Sequence, residues 1–116
     1  MCHVLIIEDE WMIAEHMAGL AEDAGATSIE VVTTEREAVE AARGRRPEII
    51  LSDVRLAEGT GPAAVAAIQC ELGEIPVIFI TGTPIECRPR SASAVVLTKP
   101  IDSAAVLRAF SRLAPL

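Results

Sequence analysis

The chain has 116 residues, of which 51% are apolar, and a formal net charge of -7 at pH 7. That length predicts one domain over residues 1–116, with one substantial core and no room for a second domain. The acidic excess leaves no basic stripe for a phosphate backbone, which argues against direct nucleic-acid binding. No apolar run approaches the ~20 residues of a membrane helix, so we expect a cytoplasmic protein without membrane attachment.

The first segment predicts a strand followed by a helix. Residues 4–7 form an apolar run typical of a strand buried on both faces, and Glu8, Asp9 and Glu10 follow it directly. Apolar residues then recur at helical spacing from Ile13 onward, until Gly25 offers a stop. Three carboxylates are therefore expected at the carboxyl end of the first strand.

The next two strands are separated by one helix. Residues 29–32 predict a short second strand, and residues 34–37 read as a capping box that opens a helix running to about Arg45. The run Ile-Ile-Leu at 49–51 predicts a central parallel strand, which delivers Asp53 to the point where a loop begins. In an open α/β sheet, ligands bind at that edge.

The second half repeats this order. Pro62 is expected at the first position of a third helix, residues 76–80 form a fourth strand before Thr81, and residues 95–97 form a fifth before Lys99. Asp102 is expected to cap the last helix. The alternation predicts a parallel sheet with helices on both faces. Prolines between residues 83 and 94 predict a fourth helix that is short or missing.

Polar side chains follow four of the five expected strands: Glu8 and Asp9, then Asp53, Thr81 and Lys99. Taken singly, the acids could stabilise a helix N-terminus, the threonine could serve a turn, and the lysine could be a solvated charge. Together at one sheet edge, the carboxylates favour a shared Mg²⁺. The hydroxyl and the ammonium suit a phosphoryl group, with Asp53 as the nucleophile.

These residues, in this order and context, resemble the signature of the receiver domain of two-component response regulators. The resemblance covers the whole chain and implies a flavodoxin-like doubly wound sheet with strand order 2-1-3-4-5. It implies Asp53 as phosphoacceptor, Thr81 and Lys99 as phosphoryl partners, and Mg²⁺ held by Glu8, Asp9, Asp53 and the backbone carbonyl of Arg55. It also implies a cis Lys99-Pro100 bond, a histidine kinase or histidine phosphotransfer protein as donor, and a change in a protein-protein contact as output.

The sequence departs from the common receiver pattern in the fifth strand. Val96 stands where receivers carry a switch tyrosine or phenylalanine, so the usual coupling of that aromatic to Thr81 cannot operate. Residues 79–82 resemble the Phe-x-Thr-Gly subset, which includes free-standing receivers and stress-response anti-anti-sigma regulators. In receivers the side chains at the places of Arg55 and Thr83 border the approach of water to the phosphoryl group, and are expected to modulate its lifetime.

Two other functional hypotheses compete with a role in signalling. A haloacid-dehalogenase-type phosphohydrolase needs a second aspartate two residues after the nucleophile, and Arg55 stands there. A phosphorylation-independent interaction module would not need the intact acid, threonine and lysine set. We therefore expect a signalling receiver rather than an enzyme. The sequence leaves open the cognate kinase, the downstream partner and whether the domain forms a homodimer.

Overall fold

The computed structural model describes residues 2–56, 58–82 and 94–113. Within these ranges five strands form one parallel sheet in the order β2-β1-β3-β4-β5. The predicted flavodoxin-like order 2-1-3-4-5 is therefore confirmed. In chain order the elements are β1 (His3–Ile7), α1 (Trp11–Asp23), β2 (Ser28–Val32), α2 (Glu35–Gly44), β3 (Ile49–Ser52), α3 (Gly61–Leu72), β4 (Val77–Thr81), β5 (Ala94–Thr98) and α4 (Ser103–Leu113).

The sheet separates two apolar cores. Successive strand residues point to opposite faces, so Ile6 joins one core and Ile7 the other. The first core lies between the sheet and helices α1 and α4, and Phe110 is fully buried in it. The second lies between the sheet and helices α2 and α3, where it contains Ile68. Helices on both faces bury β3 completely, as its continuous apolar run predicts.

The helix starts follow the predicted capping residues, with small differences. The Thr34 hydroxyl accepts a hydrogen bond from the backbone N–H of Glu37 at 3.1 Å, which confirms the start of α2. The Glu37 carboxylate also accepts from the N–H of Thr33 at 3.0 Å and from the Thr33 hydroxyl at 2.9 Å, so its contacts extend one residue before the N-cap. Helix α3 begins one residue before Pro62. Asp102 caps α4 by accepting from the N–H of Ala105 at 3.2 Å.

The strand register determines where each strand ends at the carboxyl edge of the sheet. Ile7 pairs with Ser52, so β1 and β3 end at the same level. Ser52 pairs with Phe79, so β4 continues two residues further, to Thr81, which pairs with Thr98. Residues 83–93, where a short or missing fourth helix is expected, lie outside the described ranges. In the part of the chain that is described, no helix is both long and apolar enough to span a membrane.

Candidate phosphoacceptor and metal site

Three acidic side chains meet where β1 and β3 end. Glu8 and Asp9 follow β1, and Asp53 follows β3. One carboxylate oxygen from each of the three lies within 4.8 Å of the others. The two strand ends are held together because the N–H of Asp53 donates to the carbonyl oxygen of Ile7 at 2.9 Å. The sequence therefore predicted correctly that these residues come together.

Glu8 is the most deeply placed of the three acids, with a fully buried side chain. Its Oε2 atom accepts a hydrogen bond from the N–H of Glu10 at 3.2 Å. Its Oε1 atom has no hydrogen-bond partner among the residues the structure describes, and lies 3.7 Å from the Lys99 Nζ atom. Burial raises the pKa of Glu8 to about 7; the Asp53 carboxylate adds to the rise, while the Glu10 N–H and Lys99 oppose it.

Asp53 is 8% exposed and is held by two contacts. Its Oδ1 atom accepts from the N–H of Val54 at 2.7 Å, and its Oδ2 atom lies 3.2 Å from the Lys99 Nζ atom. The Lys99 ammonium therefore stands between the carboxylates of Asp53 and Glu8. This geometry keeps one oxygen of Asp53 directed at a cation and the other fixed on the backbone.

Thr81 and Lys99 are placed by the last residues of β4 and β5. Thr81 is buried, and its carbonyl oxygen accepts from the N–H of Lys99 at 2.8 Å. The Lys99-Pro100 peptide bond is cis. The long lysine side chain reaches across from the end of β5 to the acids at the ends of β1 and β3. All five side chains taken from the strand ends are thus located at one edge of the sheet.

The donor set fits a small divalent cation. Glu8 and Asp53 share the ammonium group of Lys99, and Asp9 lies in the same acidic cluster, so ionisation of all three acids leaves an excess of negative charge. The buried Oε1 atom of Glu8 offers a free acceptor toward the same cluster. Carboxylate oxygens are the ligands that Mg²⁺ prefers. The group formed by Glu8, Asp9 and Asp53 is therefore able to hold a metal ion.

The sequence also singles out Arg55, Val96 and Thr83. Arg55 has an exposed side chain two residues after Asp53, and its backbone forms an isolated antiparallel bridge with Thr60. Val96 is partly buried against the second core. Thr83 lies outside the described residues.

Sequence reasoning missed two residues that shape the backbone beside Asp53. The buried Ser52 hydroxyl donates to the Asp53 carbonyl oxygen at 2.7 Å. A Cβ atom at Gly61 would lie 1.8 Å from that same oxygen and 2.4 Å from the Ser52 Oγ atom. The start of α3 therefore approaches Asp53 as closely as glycine alone permits. A serine that ends an otherwise apolar strand, and a glycine directly before Pro62, were the available signals.

The fold and the clustered acids define a receiver-type α/β domain. The family model described as "response regulator receiver domain" matches residues 4–111. The chain belongs to this family.

Among curated proteins, the chain is similar to the phyllosphere-induced regulator PhyR of Methylorubrum extorquens. The two are 37% identical over 112 residues, which is 94% of this chain and 42% of that protein. The chain thus spans less than half of that relative.

Two solved structures are similar to this one. The receiver domain of Erythrobacter litoralis PhyR has a TM-score of 0.84 and 31% identity, over 97% of this chain and 88% of that one. The anti-anti-sigma factor PhyR of Bartonella quintana has a TM-score of 0.81 and 33% identity, over 97% of this chain and 46% of that one. The predicted resemblance to receivers, including those of anti-anti-sigma regulators, is confirmed.

Proposed function

We propose that this domain accepts a phosphoryl group from a phosphohistidine onto Asp53 and thereby changes a protein-protein contact. The observation that carries the proposal is the position of the Lys99 ammonium, 3.2 Å from Asp53 and 3.7 Å from Glu8. A carboxylate that faces a cation beside a second acidic group suits a reaction in which negative phosphoryl oxygens must be neutralised. Within the receiver family, Asp53 occupies the phosphoacceptor position.

The carboxylates of Glu8, Asp9 and Asp53, with the backbone carbonyl of Arg55, are the residues that would hold Mg²⁺. When bound, Mg²⁺ supplies positive charge for the phosphoryl oxygens. The mutual proximity of the three acids and the free Oε1 atom of Glu8 support this assignment. Protons compete with the metal for Glu8, because burial raises its pKa to about 7.

In the transfer step, one carboxylate oxygen of Asp53 forms a bond to phosphorus while the phosphorus-nitrogen bond to the donor imidazole breaks. The imidazole leaves with the electron pair of that bond, and the product is an acyl phosphate on Asp53. Lys99 pairs with a phosphoryl oxygen, and the Thr81 hydroxyl donates a hydrogen bond to another. From the resemblance to receivers, we infer that Arg55 and Thr83 modulate the later attack of water. The domain thus assists its own modification and turns over no separate substrate.

The donor we infer is a histidine kinase or a histidine phosphotransfer protein. For the downstream partner, the relative from Bartonella quintana is described as an anti-anti-sigma factor. We infer that this domain, too, controls a protein of the sigma-factor regulatory network. Its signal would have to pass without a switch aromatic, because Val96 occupies that place.

The test is intact-mass measurement after incubation with acetyl phosphate and Mg²⁺. The wild-type chain should gain one phosphoryl group, and Asp53→Asn should gain none. Asp102→Asn is the matched control, because it removes a carboxylate that caps α4 and is not one of the three clustered acids. Equal incorporation in Asp53→Asn would show that another residue is the acceptor. No incorporation in the wild type, with acetyl phosphate or with a phosphorylated donor, would support the phosphorylation-independent module instead.

A further inference from the structure

The loop that follows Asp53 is tied to the start of helix α2. Thr34 and Glu58 form an isolated parallel bridge, and the N–H of Glu35 donates to the carbonyl oxygen of Glu58 at 3.2 Å. The Glu35 side chain makes a second link, because its Oε2 atom accepts from the N–H of Thr60 at 3.4 Å. One residue of α2 therefore binds the loop through both its backbone and its carboxylate.

Gly59 allows this contact to be close. Its φ angle is +84°, a conformation that glycine adopts without strain. A Cβ atom at this position would lie 2.3 Å from the Glu35 Oε2 atom and 2.6 Å from the Glu35 Cβ atom. The Glu35 side chain thus lies directly against the backbone of Gly59, in space that any other residue would fill. The loop and the N-terminus of α2 are therefore in close steric contact.

Backbone contacts connect Thr60 to the residues beside Asp53. Thr60 forms an antiparallel bridge with Arg55, so the two ends of the loop are paired. The N–H of Gly61 donates to the carbonyl oxygen of Val54 at 2.8 Å, which closes the loop directly beside Asp53. A displacement of Thr60 therefore moves the backbone of Arg55, whose carbonyl is the backbone ligand of the proposed Mg²⁺ site.

We propose that Glu35 is a positioning residue for the metal site. It acts through Thr60, which is paired with Arg55, and holds the Arg55 carbonyl where it can bind Mg²⁺. The proposal rests on the proposed function for its metal, and on the contacts of Glu35 for the ordering of the loop. Without the carboxylate, the Thr60 N–H loses its acceptor and the loop gains conformations that metal binding must then remove.

The test compares Glu35→Ala with Glu35→Gln, whose amide oxygen can still accept from the Thr60 N–H. Glu40→Ala is the matched control, because Glu40 lies in the same helix and pairs with Arg36 rather than with the loop. Mg²⁺ affinity is measured from the rise of the thermal midpoint with Mg²⁺ concentration. We expect Glu35→Ala to weaken Mg²⁺ binding about fivefold, the factor that corresponds to one hydrogen bond of ~1 kcal/mol. Glu35→Gln and Glu40→Ala should stay near the wild type.

A second measurement tests the ordering of the loop in the absence of metal. In EDTA, hydrogen exchange at the Thr60 amide should be severalfold faster in Glu35→Ala than in Glu35→Gln. Unchanged exchange would refute the ordering role, whether or not the wild type binds Mg²⁺. Faster exchange with unchanged Mg²⁺ affinity would refute the link to the metal site. Equal losses in Glu35→Ala and Glu35→Gln would assign the effect to charge and overturn the hydrogen-bond argument. Absence of any Mg²⁺ effect in the wild type would count against the proposed function and against the role at the metal site.

Discussion

Replacing Glu8 with glutamine should remove much of the loss of stability that the metal-free domain undergoes as the pH rises toward neutrality. Glu8 is fully buried, and burial raises its pKa from 4.5 to about 7 in the folded chain. The folded state therefore binds this proton more tightly than the unfolded state does. The contribution of the protonated group is fully present below pH 4.5 and is lost as the pH rises through about 7.

The size of the effect follows from the two pKa values. Each pKa unit corresponds to about 1.4 kcal/mol, so a rise from 4.5 to about 7 changes the free energy of unfolding by about 3 kcal/mol. Glutamine has nearly the same shape as the protonated acid and carries no charge, so Glu8→Gln should not undergo this change. Excess Mg²⁺ should restore stability to the wild type at neutral pH, because it binds the ionised carboxylate in the folded state only.

The assay is urea unfolding at a series of pH values in EDTA, with wild type and Glu8→Gln compared at each pH. Titrating groups that do not interact with Glu8 act equally on both proteins and cancel in the comparison. Among them is His3, whose pKa is lowered by burial and by Arg45, and whose protonation reduces stability as the pH falls through 6.5. Parallel curves for the two proteins from pH 4.5 to about 7 would refute the argument that Glu8 is a buried acid with a raised pKa.

Two further predictions concern the surroundings of Asp53. Gly61→Ala should lower the free energy of unfolding by about 1–3 kcal/mol or more in chemical denaturation, because its Cβ atom would lie 1.8 Å from the Asp53 carbonyl oxygen. Gly19→Ala, in open space within α1, is the control and should be stabilising; equal effects would contradict the close approach. Arg55→Asn should speed dephosphorylation severalfold in a phosphoryl decay assay, because asparagine can accept from and orient the attacking water whereas arginine only donates. An unchanged decay rate would remove Arg55 from this role.

The fold could be predicted because its signals are local. Most strands are short apolar runs. Helices α2, α3 and α4 begin at a residue whose side chain caps them, namely Thr34, Thr60 and Asp102, whereas α1 has no side-chain cap. The parallel connection then places every strand end at one edge, so the meeting of Glu8, Asp9 and Asp53 follows from topology without any coordinate. The residue types at that edge were enough to indicate a phosphoryl and metal site.

What the sequence could not supply depends on contacts between distant residues. The raised pKa of Glu8 results from its complete burial beside Asp53, and an acid after a strand can equally be exposed, as Asp9 is. The contact between Glu35 and Gly59 joins residues that are far apart in the sequence, and no local sequence pattern predicts it. The added contact of Glu37 with Thr33 likewise depends on how the chain enters α2.

Lys99 is the single lysine of the sequence. Its ammonium stands between Asp53 and Glu8, and its side chain is 24% exposed. An amine-directed reagent will therefore label this chain at Lys99, beside the proposed phosphoacceptor, and otherwise only at the α-amino group, since arginine supplies every other basic side chain apart from histidine. Labelling requires the amine to leave its ion pairs with these two carboxylates. The extent of modification at Lys99 thus becomes a chemical gauge of the ion pairs around it, readable by mass spectrometry without introducing any foreign residue.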